Sequence, residues 1–337
     1  MAQGTNTYDR YDITGSREDL SKMIYMISPT EVPVQSNIGM SSSDAIFKEW
    51  QTDSLPAATD IMKIDGDQFS ADAIAATTRL GNYHQIAWYG LLVSRRADIV
   101  NKAGRRSETG YQIARHGKAL RRSSEVTITT RKRSVVGTSS TAGQLAGIPA
   151  WIATNDQLGA SGSSPTLSGG TPNSAGTVGT ARAFTEQYLD TAVLNCYDEG
   201  GNPDALYPST RLKAALSKYL FSSSSRVATQ YQDQGRKPMK GTTVVGAVDV
   251  FVSDFFVLDI VPDRFTPSGA SATEVMLLDS EYWEMSFLSP YHIKDIADDG
   301  DATRRMLIVD YTVCAKHEGA SAVVAAINDT EAVTATP

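Results

Sequence analysis

The chain has 337 residues, of which 41% are hydrophobic and 20% are charged, and its formal net charge is −7. This length allows about two domains with a buried core, and the composition is ordinary for a folded protein. No apolar stretch reaches the roughly 18 residues of a membrane-spanning helix, and the N-terminus lacks the basic-then-apolar pattern of a secretory signal. We therefore expect a soluble protein that is made in the cytoplasm and contacts no membrane.

Positive charge is concentrated in one part of this acidic chain. Residues 95–133 contain twelve Lys or Arg against three acids, a local charge of +9, so the remainder sums to −16. Such a segment indicates either a solvated basic face or a surface that meets polyphosphate. The two cysteines, Cys196 and Cys314, are far apart in sequence and predict buried thiols in a reducing compartment.

The first predicted elements belong to an extended arm. Ser16 can cap a short helix over residues 17–27, whose apolar stripe is Leu20, Met23, Ile24 and Ile27. The following segment, SPTEVPVQSNIGM, is predicted to be extended because Pro29 and Pro33 oppose helix. A segment this short must lie on another part of the fold or on another subunit.

Residues 46–96 predict a long two-stranded excursion. One arm is IFKEWQTDSL and the return arm is TTRLGNYHQIAWYGLLVS, with a polar, turn-rich stretch between them. An isolated hairpin is only marginally stable in water, so this one implies contacts with a partner.

A basic helix is predicted within residues 107–136. On a helical wheel one stripe is formed by Ile113, Gly117, Leu120, Ser124 and Ile128, and the far side carries Arg115, Lys118, Arg121 and Arg122. The β-branched residues 126–130 oppose helix, and Arg131 returns to the apolar stripe.

The remaining chain predicts a mixed fold. Residues 159–180 are nearly pure Gly, Ser, Thr and Pro and predict an exposed loop. Thr185 and Ser209 each precede an amphipathic helix, and the helix after Thr185 has Leu189, Val193 and Cys196 on one stripe. Strands are predicted at residues 204–208, 242–257, 274–279, 284–288 and 306–317.

No catalytic or metal motif accompanies these elements. The four histidines share no metal-ligand spacing, GRKPMKGTT lacks the frame of a phosphate loop, and residues 298–301 do not space ligands like an EF-hand. We expect no catalytic residue, no cofactor and no metal.

The order of these parts resembles a group of tailed-bacteriophage major capsid proteins with the Hong Kong 97-type fold. The resemblance is carried by SPTEVPVQSNIG, FKEWQTDSL, the long hairpin, the basic helix and the run from DVFVSDFFVLDIVPDRF to MLIVDYTV, and it covers roughly residues 7–330. It implies an α+β fold with an N-terminal arm (1–45), an extended hairpin loop (46–96) and a peripheral domain with a spine helix (97–144). It further implies an axial domain (145–270), followed by return strands of the peripheral domain and a tail (271–337).

The resemblance also implies a function and its residues. The chain would assemble into pentamers and hexamers of an icosahedral shell around double-stranded DNA, without sequence preference. The spine helix would lie near the shell interior, which makes the candidate DNA-facing residues Arg115, Lys118, Arg121, Arg122, Arg131, Lys132 and Arg133. The candidate inter-subunit contacts of the hairpin are Phe47, Trp50, Lys63, Tyr83 and Trp88.

The resemblance raises further expectations about partners. Some family members join subunits by an isopeptide bond, for which Lys63 and Asn328 would be the residues here; we favour a solvated Lys63. Because the chain begins almost directly with the arm, we expect a separate scaffolding protein, along with a portal and a possible decoration protein. The location would be the virion, and the host cytoplasm during assembly.

Two other classes remain open. An encapsulin-like bacterial compartment shell has the same fold but holds enzymes, and its cargo peptide would need an apolar groove that the sequence does not reveal. An unrelated DNA-binding or β-rich tail protein would form small oligomers or fibres.

Overall fold

The computed structural model describes residues 27–68, 71, 74–222, 249–267, 273–298 and 300–331. Its helices are α1 (Pro33–Asn37), α2 (Arg95–Ile99), α3 (Glu108–Thr129), α4 (Ile148–Trp151), α5 (Glu186–Asp198) and α6 (Thr210–Ser222). The strands up to residue 174 are β1 (Gly39–Ser42), β2 (Phe47–Thr52), β3 (Thr78–Tyr83), β4 (Gln85–Ser94), β5 (Asp156–Gln157), β6 (Thr166–Ser168) and β7 (Thr171–Ser174). The later strands are β8 (Ala205–Tyr207), β9 (Val250–Val252), β10 (Val257–Ile260), β11 (Thr273–Leu278), β12 (Trp283–Ile296), β13 (Ala302–Ala315) and β14 (Ala322–Ile327). This combination confirms the predicted α+β class.

A four-stranded sheet supports the long helix. Its order is β1-β12-β13-β4, and β12 and β13 form a long antiparallel hairpin. Alternate side chains of β13, namely Leu307, Val309, Tyr311 and Val313, are buried. Gly117 of α3 lies against Leu307, which shows that the helix covers this face of the sheet.

A six-stranded sheet in the order β5-β14-β11-β8-β10-β9 forms the second body of the fold. One apolar cluster joins α5 and α6 to one side of this sheet, and another joins its opposite side to α3 and α4. Both faces of β11 and β14 are therefore buried, which explains why every residue of these two strands is inaccessible.

The hairpin prediction is confirmed for β2 and β3, which pair antiparallel from Phe47–Tyr83 to Thr52–Thr78. The return arm divides at His84, because its second half, β4, pairs with β13 instead of β2. The base of the hairpin is thus continuous with the four-stranded sheet.

Several local predictions are corrected by the structure. Pro33 begins α1 because its missing N–H costs nothing in the first helical turn. Residues 159–180 include the β6–β7 hairpin, whose Gly170 carbonyl accepts a hydrogen bond from the Gly81 amide at 3.0 Å. Strand β14 is absent from the sequence prediction. The boundary predicted at residue 270 does not follow the sheets, since β11 and β14 pair beside β8.

Other regions give a mixed outcome. Helices α5 and α6 follow Thr185 and Ser209 as predicted, and both cysteines are buried thiols, with burial raising each pKa to about 12. Residues 17–26 of the predicted arm helix, the GRKPMKGTT segment and residues 242–248 of a predicted strand lie outside the described residues. Among the described residues, no helix is both long and apolar enough to cross a membrane.

Candidate nucleic-acid interface

The basic helix α3 begins at a well-capped N-terminus. The Ser107 hydroxyl accepts a hydrogen bond from the Gly110 amide at 3.2 Å, and the Asp98 carboxylate accepts one from the Glu108 amide at 2.6 Å. That backbone hydrogen bond is the main reason why the pKa of Asp98 is lowered. An N-terminal acid and a serine cap both favour helix formation at this position.

The buried side of α3 follows the predicted stripe. Leu120, Ser124 and Ile128 are buried, and the helix continues to Thr129 despite its β-branched residues. The hydroxyl groups of Thr127 and Thr129 donate to the carbonyl oxygens one turn back, each at 2.9 Å. Burial of this last turn therefore outweighs its weak helix propensity.

The opposite side of α3 presents cations. Arg115, Lys118 and Arg121 are exposed, and Arg122 is half-buried with its guanidinium 5.1 Å from the centre of the Phe265 ring. The Arg121 guanidinium lies 5.6 Å from the centre of the Tyr291 ring. Aromatic rings thus support two of the cations while leaving them able to attract an anion.

Two further candidates follow the helix. Lys132 is half-buried and Arg133 is exposed. Within the described part of the chain, no carboxylate lies within 4 Å of the candidate cations Arg115, Lys118, Arg121, Arg122, Lys132 and Arg133. Three cations nearer the start of the basic segment are neutralised by ion pairs, Arg95 with Asp301, Lys102 with Asp98 and Arg105 with Glu108.

Arg131 is the exception, and the structure removes it from the candidate surface. Its guanidinium forms two hydrogen bonds with Glu274, at 3.0 and 3.2 Å, and donates a third to the Ala175 carbonyl oxygen at 3.1 Å. The two charged side chains are only 7% and 6% exposed. This cation therefore ties the end of α3 to β11 and is not available to DNA.

The same helix contains a buried carboxylate that the sequence did not reveal. Glu125 accepts hydrogen bonds from the Val34 and Gln35 amides, at 2.8 and 3.0 Å, and so holds the start of α1. Burial raises its pKa to about 7, with a further contribution from Asp263 and opposition from the two backbone amides. Its partners lie about ninety residues away in sequence, so no local signal identified it.

Three hairpin candidates make contacts inside their own subunit. The Trp50 indole donates to the Ala315 carbonyl oxygen at 2.8 Å and lies 5.3 Å from the Trp151 ring. The rings of Phe47 and Tyr83 are 4.5 Å apart across the β2–β3 pair. These side chains therefore anchor the base of the hairpin within its own subunit. The sequence had predicted that they contact a neighbouring subunit.

The other two hairpin candidates are accessible. Lys63 is exposed in the loop, and Trp88 is 59% exposed on β4. Asn328, the residue considered for an isopeptide bond, donates to Glu331 at 2.8 Å. Within the described part of the chain, the side chain of Asn328 bonds only to its sequence neighbours Thr330 and Glu331, so a bond to Lys63 would have to join two subunits.

Histidine and acidic residues do not form a metal site in the part of the chain that is described, where no group of three potential ligands occurs. His84 is buried at the division between β3 and β4, and its Nδ1 lies 2.9 Å from the Ile46 carbonyl oxygen. Burial lowers its pKa, which favours the neutral ring.

Solved structures show which fold this arrangement represents. A cyanophage A-1(L) capsid subunit is 12% identical with a TM-score of 0.66, covering 95% of this chain and 98% of that one. A Mycobacterium phage Bobi structure is 12% identical with a TM-score of 0.58, covering 98% and 99%. The SrpI encapsulin of Synechococcus elongatus PCC 7942 is 10% identical with a TM-score of 0.54, covering 96% of each chain. The shell fold is therefore confirmed, and these structures alone do not separate phage from encapsulin.

Sequence comparison separates the phage capsid proteins from the encapsulins. A major capsid protein of Escherichia phage Phieco32 is 28% identical over 116 residues, a match that spans 34% of this chain and 33% of that protein. The model of the SU10 major capsid protein family matches residues 3–328, nearly the whole chain. The chain therefore belongs to the SU10 major capsid protein family.

Proposed function

We propose that this major capsid protein forms a closed icosahedral shell with the cationic face of α3 turned toward packaged double-stranded DNA. The observation that carries the proposal is the set of candidate cations on α3 and just after it, Arg115, Lys118, Arg121, Arg122, Lys132 and Arg133, which have no carboxylate within 4 Å among the described residues. Attraction to phosphate needs only positive charge and proximity, and it reads no base sequence.

The expected strength suits a container. If all six cations contact phosphate, the logarithm of the affinity falls with the logarithm of salt concentration with a slope of about −5. Each subunit then binds weakly at physiological salt, where screening acts over about 8 Å. Many copies acting together hold the genome near the wall, while any single contact releases readily during packaging.

The hairpin loop supports assembly with other copies of the chain. Five large apolar side chains in and beside its tip are between 77% and 97% exposed, namely Leu55, Ile61, Met62, Ile64 and Ile74. An exposed apolar set of this size indicates a surface that another molecule covers. The loop, together with Lys63 and Trp88, would cover a neighbouring subunit; residues 1–45 would lie along neighbours, and the six-stranded sheet would lie in the axial domain around the symmetry axes.

Further partners follow from this role. A separate scaffolding protein, a portal and a decoration protein would join the shell during assembly in the host cytoplasm, and the subunit itself would perform no catalysis. If the full-length chain expressed alone produced uniform closed shells of the size of the native head, the requirement for a separate scaffold would be refuted.

Cryo-electron microscopy of particles from the natural source, with their nucleic acid quantified, tests the main proposal. Shells filled with double-stranded DNA, with α3 on the inner wall, are expected. Shells filled with enzyme would favour the encapsulin alternative, and α3 on the outer wall would refute the DNA-facing assignment.

A charge-matched pair of variants tests the residues directly. Arg115→Gln combined with Lys118→Gln removes two cations from the proposed face, and Lys63→Gln combined with Arg211→Gln removes two exposed cations elsewhere. Binding of a short duplex to the unassembled subunit should lose about one unit of salt slope per cation removed in the first variant. An equal loss in the control would show that only net charge matters.

A further inference from the structure

An apolar cavity of about 250 Å³ lies between α3 and the β12–β13 hairpin, at an edge of the contact where Lys118 and Arg121 border it. Its lining is mostly apolar and includes Ala114, Gly117 and Leu120 from the helix and Ile293 and Leu307 from the strands. Lys118 and Arg121 also line the cavity, and both are exposed cations of the proposed DNA-facing surface. The cavity therefore combines an apolar interior with a positively charged rim.

Gly117 keeps this cavity open at a cost to the helix. A glycine inside a helix is less favourable than alanine by about 1 kcal/mol. A Cβ atom at Gly117 would meet only the Leu307 side chain, at 3.5 Å, which is an ordinary contact. At Gly147, by contrast, a Cβ atom would lie 2.1 Å from the Thr130 carbonyl oxygen. Packing requires a glycine at position 147 but not at position 117.

The size and charge of the cavity define its occupant. An engineered cavity of about 150 Å³ can hold benzene, so 250 Å³ accommodates one aromatic or branched apolar side chain. Double-stranded DNA supplies negative charge but keeps its bases paired and stacked, so it leaves an apolar cavity unfilled. A peptide with an apolar anchor between acidic residues matches both the interior and the rim.

We propose that this cavity binds an internal partner protein through an acidic peptide segment that inserts one apolar side chain. The proposal rests on the proposed function, because it places the cationic face of α3 inside the shell. The segment and the genome would then compete for Lys118 and Arg121, so that arriving DNA weakens the hold of the subunit on the partner.

Two short peptides of the same charge test the proposal on the full-length unassembled subunit. One has a phenylalanine flanked by Asp and Glu, and the other has serine in its place. Because burial of an aromatic side chain is worth about tenfold or more in affinity, we expect the phenylalanine peptide to bind at least tenfold more tightly. Equal binding of the two peptides, or no binding of either, would overturn the proposal.

Variants then locate the binding to the cavity. Gly117→Leu fills the space and should weaken the phenylalanine peptide at least about tenfold, whereas Gly117→Ala adds a single methyl group and should weaken it less. Ile293→Ser changes a side chain that is 49% exposed and should also weaken this peptide without disturbing the core. Unchanged affinity in both Gly117→Leu and Ile293→Ser would place the peptide elsewhere and overturn the assignment.

A short DNA duplex distinguishes this proposal from the function on which it rests. Gly117→Leu should leave duplex binding unchanged, and duplex should displace the phenylalanine peptide from the wild-type subunit. Failure of the wild-type subunit to bind duplex would refute the DNA-facing surface, whereas equal binding of the phenylalanine and serine peptides would refute the cavity.

Discussion

Replacement of Glu125 by glutamine tests whether a buried, protonated carboxyl group holds the short helix α1 in place. Glu125 is fully buried and both of its oxygens accept backbone hydrogen bonds, from Val34 at 2.8 Å and from Gln35 at 3.0 Å. Burial, aided by repulsion from Asp263, raises its pKa from 4.5 to about 7. The folded state therefore retains a proton that the unfolded chain releases at a lower pH.

The sign of the pH effect follows from this difference. Since the pKa is raised in the folded state, the contribution of Glu125 to stability is fully present below pH 4.5 and is lost as the pH rises through 7. Between pH 5 and pH 8 this loss amounts to about 2.5 kcal/mol in the free energy of unfolding. Glutamine stays neutral over this range, so the loss should be absent from the Glu125→Gln variant.

Glutamine also changes the hydrogen bonding. Its single carbonyl oxygen serves one backbone amide, while its NH₂ group faces the other, at a cost of about 1 kcal/mol. Wild type has already lost about 0.8 kcal/mol by pH 5, so we expect the variant to be about as stable as wild type at pH 5 and more stable at pH 8 by about 2.5 kcal/mol.

Urea unfolding of the unassembled subunit at these two pH values measures both numbers, and hydrogen exchange at the Val34 and Gln35 amides reports the contact itself. Wild type and variant with parallel pH profiles would refute the idea that Glu125 carries the proton.

Three further substitutions have sharp expectations. Arg131→Met leaves Glu274 charged and buried and should cost about 3–5 kcal/mol in urea unfolding, whereas adding Glu274→Leu should recover most of the loss. Gly170 has a φ of +81°, and Gly170→Ala would place a methyl group 2.2 Å from a β3 carbonyl oxygen, so hydrogen exchange at the facing β3 amide should accelerate. Gly66 also has a positive φ but has open space around it, so Gly66→Ala is the control for the backbone conformation alone. Asn82→Ala removes four hydrogen bonds at the hairpin base and should cost about 2–4 kcal/mol in urea unfolding; a loss below about 1 kcal/mol would show that water replaces them.

The spacing of apolar residues predicted those helices and strands that bury only one face, because such a pattern is visible without knowing what the face packs against. The stripe of α3 was visible because Leu120, Ser124 and Ile128 repeat at helical spacing, and these residues are buried as predicted. Strand β14 was missed because its sequence, AVVAAI, is buried on both faces and has no alternation to detect.

The ion-pair partners of the charged residues could not be predicted from the sequence, for a different reason. Sequence composition gives the number of cations in the basic segment but not their partners, and Glu274 lies 143 residues from Arg131. The same limit applies to Glu125, whose arm partners are distant in sequence, and to Trp50, whose indole bonds a carbonyl 265 residues away. A basic residue type therefore indicates an accessible charge only where the surroundings leave the side chain exposed, as they do at Arg115.

The distribution of these long-range contacts separates fixed from adaptable parts of the subunit. The hairpin base is fixed by Asn82, which is fully buried, donates to the Ala146 and Val313 carbonyl oxygens and accepts from the Ala146 amide and the Ser134 hydroxyl. The described tip residues 53–67 are all exposed, and the hydrogen bonds found there, such as that from the Asp67 amide to the Ile64 carbonyl oxygen, are local. A loop with a rigid base and an unsupported apolar tip can reach a neighbour in a fixed direction while its end adjusts to the surface it meets. Copies of one chain in differently curved parts of a shell should therefore share the geometry of Asn82 and differ at the tip.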